Sequence, residues 1–294
     1  MTYFSYLFAT GLTTGAIYAL IALGIVIVYR ATNVVNFAHG ETFMIAGFVA
    51  WTAHVTYGMP YLGALAAAVV AAFVLSLVLY RFAFKPLMRL NDLNPILLVM
   101  IGLSFVLKGI AREVWGGKGD YLTFPPLVSP KPIEIGGLMI MSQQLVVLAA
   151  ALLVMVILLA LMRYTRAGKF MQATADNAKA SRLIGLRVDS VYMYTFGVGA
   201  IVAAFSAVLM APLTLLYPDM GFALFIKGFA AAVFGGLTSI GGAIIGGLLL
   251  GIVEQLTAGY IDSGLQEVAA FVVIVLVMIV IPTGLFGAKQ TRRV

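Results

Sequence analysis

VVLAAALLVMVILLAL, residues 146–161, has no polar side chain, and one residue later comes RYTRAGKFMQATADNAKASRLIGLRVDS, residues 163–190. The first stretch suits the inside of a lipid bilayer. A helix needs about 20 largely apolar residues to cross one, and this run with its flanks supplies them. The second stretch is a long polar run between apolar segments. It carries Arg163, Arg166, Lys169, Lys179, Arg182 and Arg187 against only Asp176 and Asp189. Phe170, Met171, Ala175, Ala178, Leu183 and Ile184 fall partly at helical spacing, and Gly185 is placed to stop a helix. Two readings follow: a docking loop through which a soluble partner moves a membrane-embedded body, or a connector whose charge only sets topology.

A second run, Val268–Pro282, is equally free of polar side chains. Across the chain 63% of residues are hydrophobic and 10% charged, against about 25% charged in soluble domains. Lipid offers no hydrogen bonds to an exposed backbone, so the fold class is an all-α integral membrane protein. Spans are expected at about 4–29, 37–55, 62–84, 95–114, 143–162, 191–217 and 265–286. A glycine-broken stretch, 221–258, is too short for two full-length tilted spans with a loop. Two half-helices or short spans meeting at 235–242 fit it better. The total is eight to nine membrane segments in one transmembrane domain, residues 1–294. An extracytoplasmic segment is expected at 115–142 and a cytoplasmic loop at 163–190.

The net charge of +7 belongs to the loops rather than to a nucleic-acid surface. A cytoplasmic side holding Arg30, Arg81, Lys85, Arg89, the six cations of 163–190, Lys289, Arg292 and Arg293 collects thirteen of the eighteen basic residues. That assignment puts the N-terminus outside. The stretch 4–29 has no charged region before it and no small-residue cleavage site, which suits a retained span. Zero cysteines exclude disulfides and thiolate chemistry.

Ionisable groups near apolar runs are few: His39, Glu41, Lys108, Arg112, Lys227 and Glu254. Lys108 and Arg112 are placed to snorkel, with Glu113 close enough to pair with either. Asn36, His39, Gly40 and Glu41 form either a bend facing a polar path or a helix start at the interface, capped by Asn36. Lys227 is a path residue or an interfacial anchor. Gly235, Gly236, Thr238 and Ser239 mark a break whose helix ends could serve a ligand. Gly11/Gly15, Gly242/Gly246 and Gly247/Gly251 are spaced for close helix packing. The chain has no HExxH, GxSxG or GxxxxGK[ST], and its aspartates all fall in loops or at edges. No catalytic set and no metal site emerges. Glu254 is the one acidic candidate for proton-driven transport.

Three stretches together resemble one family. They are GLTTGAIYALIALG (11–24) running to NFAHGE (36–41), ADNAKASRLIG (175–185), and KGFAAAVFGG (227–236) running to GGLLLG (246–251). In this order, over nearly the whole chain, they are similar to the permease subunits of bacterial ABC importers for branched-chain amino acids, the shorter of the two permeases. The resemblance implies a multi-pass protein of the cytoplasmic (inner) membrane, in contact with membrane lipid, that pairs with a second permease subunit. It also implies two cytoplasmic ATPases, which bind ATP and magnesium so that this chain needs no cofactor, and an extracytoplasmic substrate-binding protein. Asp176, Asn177, Arg182 and Gly185 would then couple to the ATPase. The path would run past Asn36–Glu41 and 235–242, polar but shallow, because the binding protein supplies capture. The sequence departs from the family at Gln172, where arginine is frequent, and at Thr238 and Gly241, where glycine and proline are. Ile281 also stands where arginine is common. Permeases for urea, short amides or other amino acids share the architecture. A stand-alone secondary transporter is the rival class.

Overall fold

A computed structural model describes residues 2–88, 93–116, 121–135, 138–281 and 283–287. Arg89, Asp92, Asp120, Pro282, Lys289, Arg292 and Arg293, used above for topology and exclusion, lie outside the described residues. The elements in order are α1 (Thr2–Thr32), α2 (His39–Trp51), α3 (Tyr61–Leu79), α4 (Lys85–Leu87), α5 (Leu93–Trp115), β1 (Pro132–Ile135) and β2 (Leu138–Met141). They continue with α6 (Ser142–Tyr164), α7 (Arg166–Asp176), α8 (Ala178–Leu183), α9 (Val188–Met210), α10 (Met220–Gly235), α11 (Ile240–Tyr260) and α12 (Gln266–Val280).

Among the described residues six helices are long and apolar enough to cross a membrane. α2, α10 and α12 are shorter. Two π-helical turns extend α2 and α3, at Thr52–Thr56 and Tyr80–Phe84. The polar segment after α5 is not all coil. β1 and β2 pair antiparallel, Ile133 opposite Ile140, beside the start of α6. The hairpin marks one end of the bundle and the basic α7–α8 corner marks the other.

α1 is the axis. Its apolar stretch is 89% buried, against 28% for those of α3, α5 and α6, which leaves these three to meet lipid or partners. α11 runs antiparallel along α1. A Cβ on Gly15 would meet the Gly247 and Leu248 carbonyls, and one on Gly251 would meet the Gly15 backbone. The packing role read from these glycine pairs is what the structure shows, because backbone approaches backbone where no side chain fits.

α3 buries one stripe, Ala64, Ala68, Ala72 and Ser76, at a spacing of four residues. α9 lies against it, and Gly197 leaves room for the Phe73 ring. Small residues set that distance, so Ala68→Leu is expected to cost about 1–3 kcal/mol by overpacking. Thermal unfolding in detergent reads this. A midpoint equal to the native one would show that the α3–α9 seam is loose.

Candidate functional site

The segment between α1 and α2 turns back into the bundle. Asn33 takes φ +55° after Thr32, and the Asn36 side chain accepts from the Ala38 amide at 3.1 Å. The His39 ring then lies against Gly24. Gly24 precedes the end of α1 by eight residues, about 12 Å of helix. α2 therefore starts deep, and the interfacial helix start is not what the structure shows. Asn36 caps a turn ahead of the helix rather than the helix itself.

Glu41 has no solvent exposure. Ser104 of α5 donates to one of its oxygens at 2.8 Å, and the other oxygen lies beside Gly221. Gly40 and Gly221 touch through their backbones. The first turns of two helices thus meet at this carboxylate, and the positive ends of both dipoles favour its charge. From there α2 runs to the hairpin end and α10 to the basic end. Lys108 and Arg112 reach Asp219, just before α10, at 3.4 and 2.7 Å. That corrects the Glu113 pairing expected from sequence.

The break lies elsewhere. α10 ends at Gly235, Gly236 takes φ +103°, and the Ser239 side chain accepts from Gly242 at the start of α11. A Cβ on Gly235 would strike the Gly242 carbonyl. The Leu285 and Phe286 amides donate to the Phe234 and Gly235 carbonyls, so the chain after α12 covers the turn. These helix ends are capped by the chain itself rather than left open to a ligand. Thr238 sits in the same turn. The structure sets the two parts of the expected path apart: 36–41 meets α10 at Gly221, about 21 Å along the helix from Gly235. One half of the broken stretch, α11, is also a full-length helix of 21 residues.

Sequence reasoning missed a cavity of about 380 Å³ toward the hairpin end. Thr10, Thr13 and Thr14 of α1, Gln144 of α6, Gln255 of α11 and Lys227 of α10 give it a polar lining. Lys227 is paired with the fully buried Glu254 and lies 5.6 Å from the Tyr18 ring. It is no interfacial anchor.

The basic loop is two helices, not one. Asn177, in extended conformation, ends α7 and caps α8 by accepting from the Ala180 amide at 2.9 Å. Asp176 is the last residue of α7 and Arg182 lies in the last turn of α8. Gly185 takes φ +86°, and the Leu186 amide reaches back to the Ser181 carbonyl, the glycine stop expected there. The corner is held firmly. Gln172 donates to the Met162 carbonyl and Ser181 to the Ala173 carbonyl, while Gly168 lets α7 close on α6. Asp176, Asn177, Arg182 and Gly185 come together here. Beyond them Leu183 and Ile184 are 89% and 75% exposed.

Residues 7–282 match a family described as branched-chain amino acid transport system / permease component. The chain is 34% identical to the Pseudomonas aeruginosa high-affinity branched-chain amino acid transport system permease protein BraD, covering 97% of this chain and 96% of that one. It is 33% identical to LivH of Escherichia coli, a permease protein of the same description, over 99% and 98%. Among solved structures, PsaBC from Streptococcus pneumoniae in complex with Fab aligns over 92% of this chain and 90% of that one. Its TM-score is 0.50 at 11% identity, a likeness of fold alone. The match reaches from the second turn of α1 past the end of α12, and the chain belongs to the branched-chain amino acid transport system permease family.

Proposed function

We propose that this chain is one half of the membrane pathway of an ATP-driven importer of branched-chain amino acids in the cytoplasmic membrane. The observation that carries the reading is the α7–α8 corner. It is pinned to α6 through the Met162 carbonyl, yet it presents Leu183 and Ile184 outward at the basic end. Such a corner transmits a push without deforming. Two ATPases seated on this corner and on that of a second permease would drive the two bodies apart and together. An extracytoplasmic binding protein would deliver substrate at the hairpin end. The basic end faces the cytoplasm in this reading. Glu41 of α2, held against α5 and α10, would mark the joint where the two short helices shift.

The test is leucine uptake into membrane vesicles, with urea as control, by this chain alone and then with the ATPases and second permease. Uptake that needs both ATP and the partners is the expected result. Uptake by the chain alone, driven by an ion gradient, would overturn the reading and make Glu254 the residue of interest.

A further inference from the structure

The 380 Å³ cavity near the hairpin end falls in the range of small-molecule sites. It is too polar to be a packing fault, since threonines, glutamines and a lysine line it. Its walls are also sorted by chemistry. The hydroxyls of Thr13 and Thr14 donate to the Ala9 and Thr10 carbonyls, each at 3.0 Å. Each hydroxyl has a single hydrogen, so its oxygen is left as an acceptor. On the α10 side Lys227 brings a donor that is only 17% exposed. The pair with Glu254 uses one of the three hydrogens of its ammonium. Met210, Leu213, Met220 and Leu224 complete the lining with apolar surface.

Behind Lys227 stands Glu254, fully buried, with its second carboxylate oxygen lacking any hydrogen-bond partner. An ion pair at such a depth is costly, and two apolar residues would fill the space more cheaply. A carboxylate behind a lysine has one clear consequence. It holds the ammonium in place at the wall of the cavity.

We propose that this cavity is a binding site within the permease for the zwitterionic head of an α-amino acid. Lys227 takes the carboxylate, the Thr13 and Thr14 oxygens take the ammonium, and the apolar wall takes an aliphatic side chain. Glu254 is a positioning residue that holds Lys227. This rests on the importer reading and replaces its shallow path with a specific stop.

The test is ATP-driven leucine uptake by the complete complex, expressed per amount of assembled complex. The double variant Lys227→Glu/Glu254→Lys keeps an ion pair but turns a carboxylate toward the cavity. Loss of one charged hydrogen bond is worth about tenfold or more, and uptake should fall by at least that. Thr13→Val/Thr14→Val leaves the pair untouched and should lower uptake by about tenfold through the ammonium end. The threonine variant still decides the matter if the swapped pair fails to assemble. Native-like uptake by either assembled variant would overturn the proposal and mark the pair or the threonines as structural. A native complex that takes up another solute and not leucine would instead overturn the importer reading.

Discussion

Gly251→Leu is expected to prevent this chain from folding. Gly251 of α11 sits on the backbone of Gly15 of α1, and Gly11 meets Gly251 and Ile252 in turn. A leucine there meets main chain, which has no alternative rotamer by which to yield. Overpacking against movable side chains costs about 1–3 kcal/mol, and a clash with two helix backbones exceeds that. Domains are stable by only about 5–15 kcal/mol. α1 is also the axis against which α9, α10 and α11 all pack, so the damage does not stay local. The readout is the yield of monodisperse protein in detergent, with Gly102→Leu as control. Gly102 is exposed and nothing lies within 4 Å of its added Cβ, so that variant should purify like the native chain. Equal yields from both would mean that α1 and α11 do not touch as described.

The paired substitution Leu183→Asp/Ile184→Asp should act in the opposite way, sparing the fold and ending transport. Both side chains are exposed on the corner, so stability should stay within about 0.5 kcal/mol of native. Against the ATPase surface proposed to seat on this corner, two carboxylates would have to be desolvated without partners. An apolar contact at the centre of an interface is worth about 2 kcal/mol or more, so losing two should cut ATP-driven uptake by about 100-fold or more. Co-purification of the ATPases with the variant chain gives the same answer without transport. Retained uptake with retained co-purification would move the docking surface off this corner.

Some of this architecture could be read from residues. Apolar runs located α3, α5 and α6 because a helix mostly exposed to lipid must be apolar along its length. Gly185 and the Gly235–Gly242 break were legible because positive φ and backbone contact leave few residue types possible. The depth at which α2 begins was not. As a sequence, Asn36, His39 and Glu41 suit a helix start equally well at an interface or inside a bundle, and only the His39 contact with Gly24 separates the two. Asn177 could have announced the split between α7 and α8, since asparagine is a preferred N-cap, but the apolar spacing ran on across it. The partners of Lys108, Arg112 and Lys227 were hidden because they lie 111, 107 and 27 positions away. The threonine wall was hidden too, since a threonine in an apolar helix looks the same whether it faces a cavity or a neighbour.

The central place of α1 bears on how the protein is made. Within this chain α1 is synthesised before all the helices that later surround it. It must therefore enter the bilayer without those helices around it, although they cover almost all of its surface in the finished molecule. This accounts for a helix without one charged residue from Thr2 to Tyr29, including the side that lines the polar cavity. Threonines are a tolerable cost during insertion, whereas a lysine or glutamate at the same depth would resist it. The cavity's cation and the anion behind it are carried instead by α10 and α11, which can enter together with their charges neutralised against each other. The division of polar groups among the helices follows the order of their birth as well as the needs of the site.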